Sequence, residues 1–502
     1  MSYLFYPNLA QNCRNVSHCP HLGGAALGSV VLSANANDEW YQAMLRQIDA
    51  LREENAGQAR QLAQQREQIE QLKAELKAER QKQFQRSRDD VGEEDAVATT
   101  QGAKKRGAPE GHPGWFRPTP TRIDGIVPVS SPTLCPHCQS VVKARPDLAP
   151  YDHLQEDWLD GRSVIACFRH EEGRCTKCRR WVYQAGEGEI LRAKIGPQMR
   201  ARAMFLRFDI GLTFRKVVAA VAGLDSIRCT PAALLGFEKH VAENARLLAG
   251  DVAKKLRACE VVHADETYWT INARRAFAWF HGNEHLAHYS ICGTRSGKIS
   301  RRILGKDYDG ALVTDCYAGY DRHATKIKQK CVQHLKRTAN TWLKVTSAKA
   351  VAALRFFHDV AAWTKRCCRW HRRWKAGKAA MNDRETAWLR REQLRLENAT
   401  VDSEKALTLQ KRIRRYSAEW LTFLSHPSVP PTNNLAEQAV RFLVILRKLS
   451  FGNRTRVGAR RMGAMMTVIQ TAKRQGRNVI HFLAALFTLT PNQAARAMYA
   501  RR

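Results

Sequence analysis

Three acidic positions and two cysteine pairs are the side chains whose type and setting could do chemistry. Asp265 lies in VVHADETYWTI (residues 261–271), directly after a short apolar run and before an alternating one, and Asp315 closes the apolar strand pattern of ALVTDCYAGYD. Ionised carboxylates are rarely buried unless paired or bound to a metal. An acid at the end of such a strand is therefore either exposed by accident or held for a cation. Glu437 falls on the first turn of a helix expected in TNNLAEQAVRFLVILRKLSF, which Asn433 or Asn434 can cap and whose apolar face is Val440, Leu443, Val444 and Leu446. A carboxylate there could also be no more than a partner for the helix dipole. CPHC (Cys135, Cys138) and CTKC (Cys175, Cys178), with 36 residues between them, each present two thiolates from a tight turn, as a structural zinc ribbon requires. His137 and His170 are alternative ligands.

The elements that must position these groups belong to a long, basic chain. At 502 residues it exceeds one hydrophobic core and suggests about three to four units. Its 82 Lys plus Arg against 47 Asp plus Glu leave a net charge of +35, which points to a polyanionic partner. No apolar run approaches the roughly 18 residues of a membrane span, so nucleic acid is favoured over lipid. The N-terminus lacks the basic-then-apolar order of a secretory signal, and an intracellular protein is expected. In that setting the 14 cysteines read as thiols. Cys229, Cys259, Cys292, Cys316, Cys331, Cys367 and Cys368 read as small core residues, and Cys13, His18, Cys19 and His21 as part of a loose tail (1–37).

Met44, Ile48, Leu51, Leu62, Ile69, Leu72 and Leu76 share the a and d positions of one heptad register, with Asn55 at a and Gln58 and Gln65 at d. This predicts a coiled coil over 38–85 that mediates self-association, against the alternative of one amphipathic helix folded back. Residues 86–125, rich in Gly, Pro and charge, read as a linker, and 126–195 as the zinc-binding domain. Residues 196–255 read as helices, with Thr230 as N-cap and Pro231 at the first helical position. They resemble a helix-turn-helix, although any small helical hairpin has the same pattern. From 256 to 345 the pattern is a three-strand antiparallel meander, a short helix and a strand. A helical, basic insertion follows (346–428). Within it, residues 361–380 carry seven Lys or Arg and no acid, with Trp363, Trp370 and Trp374 on one helical face. Those tryptophans read as a core stripe, with base stacking as the alternative. Residues 429–456 hold the Glu437 helix, and 457–502 a small helical domain.

VHADETYWTINARRAFAWF, LVTDCYAGYD, CVQHLKR, NNLAEQAVRFLVILRKLSFGNRTRVGARRM and VIQTAKRQGRNVIHFLAALF, in that order, resemble the DDE transposases of the IS66 insertion-sequence family. The resemblance extends to the coiled coil, the linker with a zinc-binding domain and the helical C-terminus. It departs at Thr432, where many relatives have Asp. What it implies is a multidomain α+β protein: N-terminal coiled coil, zinc ribbon, helical DNA-binding segment, ribonuclease H-like α/β catalytic core with a helical insertion, and a small C-terminal helical domain. Asp265, Asp315 and Glu437 become the first, second and third catalytic acids. Glu266 and Asp321 are then supporting or solvated, and Tyr317 and Tyr320 packing residues rather than nucleophiles.

Three crowded carboxylates call for divalent cations, here two ions of Mg2+ (or Mn2+), with structural Zn2+ on the cysteines. Two such ions serve DNA cleavage and strand transfer. The expected backbone contacts are His334, Lys336, Arg337, Arg369, Arg372, Arg373, Lys375, Arg441, Arg447, Lys448, Arg454 and Arg456. The expected partners are element ends and target DNA, further copies of the chain in a homo-oligomer, and accessory proteins of the same element. The expected location is the bacterial cytoplasm, at the nucleoid. A non-catalytic zinc and coiled-coil DNA-binding regulator, and a ribonuclease H-like nuclease without strand transfer, are the alternatives.

Overall fold

The protein's structure, a computed structural model, describes residues 117–500 apart from 324, 326 and 378–382, together with scattered positions between 42 and 68. It divides into two units, Met1–Gly107 and Ala108–Arg502. In the first unit, the described positions between 42 and 68 are helical, and Leu51, Gln58 and Gln65 are exposed. The other heptad residues, the Cys13–His21 group and most of the linker lie outside the described residues.

The second unit opens with six strands: β1 (Gly125–Val129), β2 (Val142–Ala144), β3 (Tyr151–Leu159), β4 (Arg162–His170), β5 (Gly173–Cys175) and β6 (Trp181–Val182). They form two three-stranded sheets, ordered β1-β4-β3 and β2-β5-β6. The small β2-β5-β6 sheet carries the cysteines. The other is built on a β3–β4 hairpin that turns at Asp160 and Gly161, both with positive φ. Its inward positions on β3 are His153, Gln155 and Asp157, all buried. An apolar-in pattern is what sequence alternation detects, so polar residues turned inward hide this hairpin.

Three helices follow, α1 (Pro197–Phe208), α2 (Phe214–Asp225) and α3 (Pro231–Leu256). Thr230 caps α3 by accepting from the Ala233 amide at 3.1 Å, and Pro231 sits at the first position, as expected. Leu234, Val241, Ala245, Leu248, Val252 and Leu256 line its buried stripe.

The central sheet contains β7 (Val261–Ile271), β8 (Arg274–Gly282), β9 (Ala287–Cys292), β10 (Ala311–Thr314) and β11 (Ile327–Lys330), with α4 (Lys298–Leu304) between β9 and β10. Its order is β11-β10-β7-β8-β9. β7, β8 and β9 form the expected antiparallel meander, and β7, β10 and β11 run parallel. A short strand such as β10 can pair with only part of β7, and the antiparallel pairing with β8 carries β7 on to Ile271.

The chain continues through α5 (Val332–Leu343), α6 (Val351–Lys375), α7 (Asp383–Glu397), α8 (Glu404–Arg415) and the short α9 (Thr422–Ser425). These helices share a second core in which Trp363, Trp370 and Trp420 are fully buried. The tryptophans of α6 are therefore a packing stripe. Last come α10 (Asn434–Ser450), α11 (Arg456–Arg474), α12 (Val479–Thr488) and α13 (Pro491–Tyr499). α11 covers the outer edge of β9. The Thr467 and Thr471 hydroxyls accept from the Tyr289 and Ala287 amides at 2.8 and 3.1 Å, so the edge amides are not left open. A Cβ at Gly463 would lie 2.9 Å from the Tyr289 carbonyl oxygen, so the close approach of α11 favours glycine there. No helix among the described residues is long and apolar enough to cross a membrane.

Candidate active site

Parallel pairing of β10 with β7 runs from Ala311↔Val261 to Val313↔His263. That last pair lies two residues before each acid, and the charge of Asp315 reaches the Asp265 carboxyl. Asp265 is not at a strand tip, as its sequence setting suggested. It is the fifth residue of an eleven-residue strand. The tip is that of β10, which ends at Thr314, one residue before Asp315.

Glu437 is supplied by the first turn of α10, which packs on β7 and β8 through Ala436, Val440, Leu443 and Leu446. Asn433 occupies the N-cap position, yet its side chain makes no capping bond. Instead its Nδ2 donates to the Ala264 carbonyl at 2.8 Å, and its Oδ1 lies 3.0 Å from His263 Nδ1. Burial pushes His263 down to about 4, so the neutral ring donates from Nδ1. The Asn433 amide accepts a different role: its N–H donates to Cys331 Sγ at 3.2 Å. The start of α10 is thus fastened to β7 beside Asp265.

Burial, then the charges of Asp315 and Glu266 and, less strongly, Glu437, push the Asp265 carboxyl up to about 8. Asp265 thus feels the charge of both other acids, and no cationic side chain is among the main influences on it. Glu266 points to the opposite face, where burial raises it and Tyr320 and Arg295 hold it in check. Tyr320 Oη donates to it at 2.6 Å, and Arg295 grips it with Nε at 2.9 Å and Nη2 at 2.6 Å. Asp321 joins the buried Lys330 (3.3 Å), Arg415 (2.9 Å) and Tyr416 (3.0 Å). Both acids have supporting contacts, and Tyr320 is tied up in one of them.

Around Glu437 the close ligand atoms are those of Cys331 and His334, all within 4.8 Å of one another. Asp265 and Asp315 do not join any group of three that tight among the described residues. Arg337 pairs with Glu437 at 3.0 Å, and His334 Nδ1 lies 3.7 Å from it. These two residues, expected along DNA, touch the third acid itself. Arg447 donates to the Tyr268 carbonyl and covers its ring, Arg373 pairs with Glu385 at 3.4 Å and Lys375 with Glu284 at 3.4 Å. Arg369, Arg372, Arg441, Lys448, Arg454 and Arg456 are exposed, and Lys336 is half-buried.

The four knuckle cysteines converge. Cys135 and Cys178 Sγ are 3.6 Å apart, Cys138 and Cys175 Sγ 3.4 Å, and all four lie within 4.8 Å. The two turns match: Gln139 and Arg179, each just after its pair, have positive φ and return their amides to the Cys135 and Cys175 carbonyls. Hydrogen bonds from Ser140 bring the Cys138 thiol down to about 6, so a thiolate is available at neutral pH. A tetrahedral soft-metal site fits this donor set. Neither His137 nor His170 takes part; His170 belongs to a separate buried cluster with His153 and Glu189.

What sequence reasoning missed here is the clamp. His263 stands two residues before Asp265, and Cys331 and His334 were visible in CVQHLKR, but nothing in a linear pattern ties Asn433 to a strand 170 residues earlier.

These features define a multidomain α+β protein with a strongly basic charge, a gathered cysteine quartet and, on a mixed sheet, an Asp265 that feels the charges of Asp315 and Glu437. The chain belongs to the IS66 family of transposases, whose model matches residues 192–461, and the family makes it a DNA-processing enzyme of transposase type. No curated protein matches it.

Proposed function

We propose that the protein is a DDE transposase that binds the terminal inverted repeats of its element and catalyses divalent-metal-dependent cleavage and strand transfer. The observation that carries this reading is that Asp265, two residues past the last β7–β10 pair, is driven up to about 8 by burial and then by the charges of Asp315, Glu266 and Glu437. A carboxyl in that state is uncomfortable without a cation. Two ions of Mg2+ or Mn2+ held by Asp265, Asp315 and Glu437 would activate an attacking oxygen and stabilise the leaving 3' oxygen in an in-line displacement at phosphorus. The residues supply the rest: β7 and the end of β10 carry two of the carboxylates, Asn433 fixes the approach of the third, and Arg337 pairs with Glu437.

On this reading the five-stranded mixed sheet is a ribonuclease H-like core in two parts, 256–345 and 429–456, interrupted by the helical insertion 346–428. Residues 126–195 bind structural Zn2+, 196–255 and the exposed cations contact DNA, and 38–85 pair copies of the chain as a coiled coil. The tail, the linker and the 457–502 helical domain complete the division. Accessory proteins of the element and a nucleoid location in a bacterial cytoplasm go with this assignment.

The test uses the full chain, a DNA duplex carrying the element's end, and Mg2+. Asp265→Ala, Asp315→Ala and Glu437→Ala should each abolish end cleavage and joining while end binding persists. Undiminished cleavage in any of them overturns the assignment of that acid. Cleavage without joining by the native protein would leave a nuclease and refute strand transfer.

A further inference from the structure

His153 on β3 and His170 at the end of β4, both in the β1-β4-β3 sheet, meet Glu189 from the loop after β6. Their side chains are 7%, 1% and 0% exposed. His153 Nδ1, His170 Nε2 and a Glu189 oxygen all lie within 4.8 Å of one another. His170 Nε2 is 3.0 Å from Glu189 Oε1, and His153 Nδ1 is in direct contact with the same oxygen.

His153 Nε2 lies 3.1 Å from the Ala193 carbonyl. A carbonyl only accepts, so Nε2 carries the hydrogen, and a neutral His153 turns the bare lone pair of Nδ1 toward a carboxylate oxygen. Two acceptors in contact in a buried site need a positive charge between or upon them. The second carboxylate oxygen is already engaged, accepting from the Gly186 amide at 2.8 Å, so Glu189 is oriented with Oε1 toward both rings. Gln155 fixes the loop from both sides, donating to Gly188 O at 3.1 Å and accepting from the Ile190 amide at 2.9 Å. His153, whose far N–H is held by a backbone carbonyl while its near nitrogen faces an oriented carboxylate, is set as metal-ligating imidazoles are, and His170, whose Nδ1 has no hydrogen-bond partner, presents Nε2 to the same oxygen.

We propose that His153, His170 and Glu189 form a second metal site, for a divalent transition ion of the zinc class, distinct from the cysteine quartet. It fastens the β3–β4 hairpin to the 186–193 loop. Two imidazoles and a carboxylate suit Zn2+ and exclude the alkaline-earth ions, which prefer all-oxygen shells. The aromatic rings of Tyr151, Tyr183 and Phe168 border the histidines and keep the site dry.

The experiment measures zinc bound per chain by plasma mass spectrometry on the full-length protein, purified without chelator and dialysed to remove loose metal. The expected content is two equivalents in the native protein. Glu189→Gln, which keeps the side-chain shape, should hold one, as should His153→Gln. Cys135→Ser with Cys178→Ser should also hold one, lost from the other site. Cobalt substitution separates folding from ligation: Glu189→Gln should keep the thiolate-to-cobalt charge-transfer band of the quartet while losing one equivalent of cobalt. Native protein with a single equivalent that vanishes only with the cysteines overturns the proposal, leaving a proton to bridge the cluster. A Glu189→Gln variant that keeps the full native content with the band intact overturns it equally.

Discussion

Asn433 Nδ2 donates to the Ala264 carbonyl at 2.8 Å, one residue from Asp265, while its own backbone starts the helix that carries Glu437. A fully buried amide thereby links the first acid to the third. Asn433→Ala leaves the His263 N–H without its acceptor, at a cost of about 1–3 kcal/mol. The expected outcome is a lower unfolding midpoint and end cleavage reduced at least tenfold, with a raised Mg2+ requirement and unchanged end binding. Chemical denaturation and a Mg2+ titration of cleavage check it.

Asp265 ionises near 3.8 when unfolded and is pushed up to about 8 in the fold. Between those values the native state holds more protons than the unfolded one, so stability of the metal-free protein falls as pH rises from about 4 through 8, by up to ~1.4 kcal/mol per pH unit. Asp265→Asn should remove that slope and raise the melting temperature at pH 8. Mg2+ should stabilise the native protein there and not the variant. Thermal melts with and without Mg2+ across this range check the sign.

The buried His323 has the opposite sign. Burial, then Lys328 and Arg301, lower it from 6.5 to about 4. The unfolded state binds the extra proton first, so stability present above pH 6.5 is lost as pH falls through 4. Between pH 4 and 6.5 this term opposes that of Asp265, so His323→Gln should make stability fall more steeply with rising pH in that window and leave the slope from pH 6.5 to 8 unchanged.

Helix α6 is two-faced. Trp370 is fully buried, so Trp370→Ala should cost about 3–5 kcal/mol. Arg372 on the exposed face should do the reverse: Arg372→Ala leaves the melting temperature unchanged and lowers the salt slope of DNA affinity by about 1. Calorimetry and affinity measured at several salt concentrations separate the two.

Residue types and local periods alone determined much of this protein. The acids of VVHADETY and LVTDCY, the two CxxC turns, the Thr230 cap, the β7–β9 meander and the tryptophan stripe were all legible, because each is set by a few neighbouring residues. Only the tertiary structure decided the rest. β10 ends beside the middle of β7, so the acid at a presumed tip became one flanked by a neighbouring strand's end. Asn433 gave up its helix cap for a distant strand, Arg337 and His334 turned to Glu437, and His153 and His170 faced inward with Glu189. Such partners are chosen by which strand pairs with which and by burial, and contacts that close across tens to hundreds of residues leave no periodic trace in the chain.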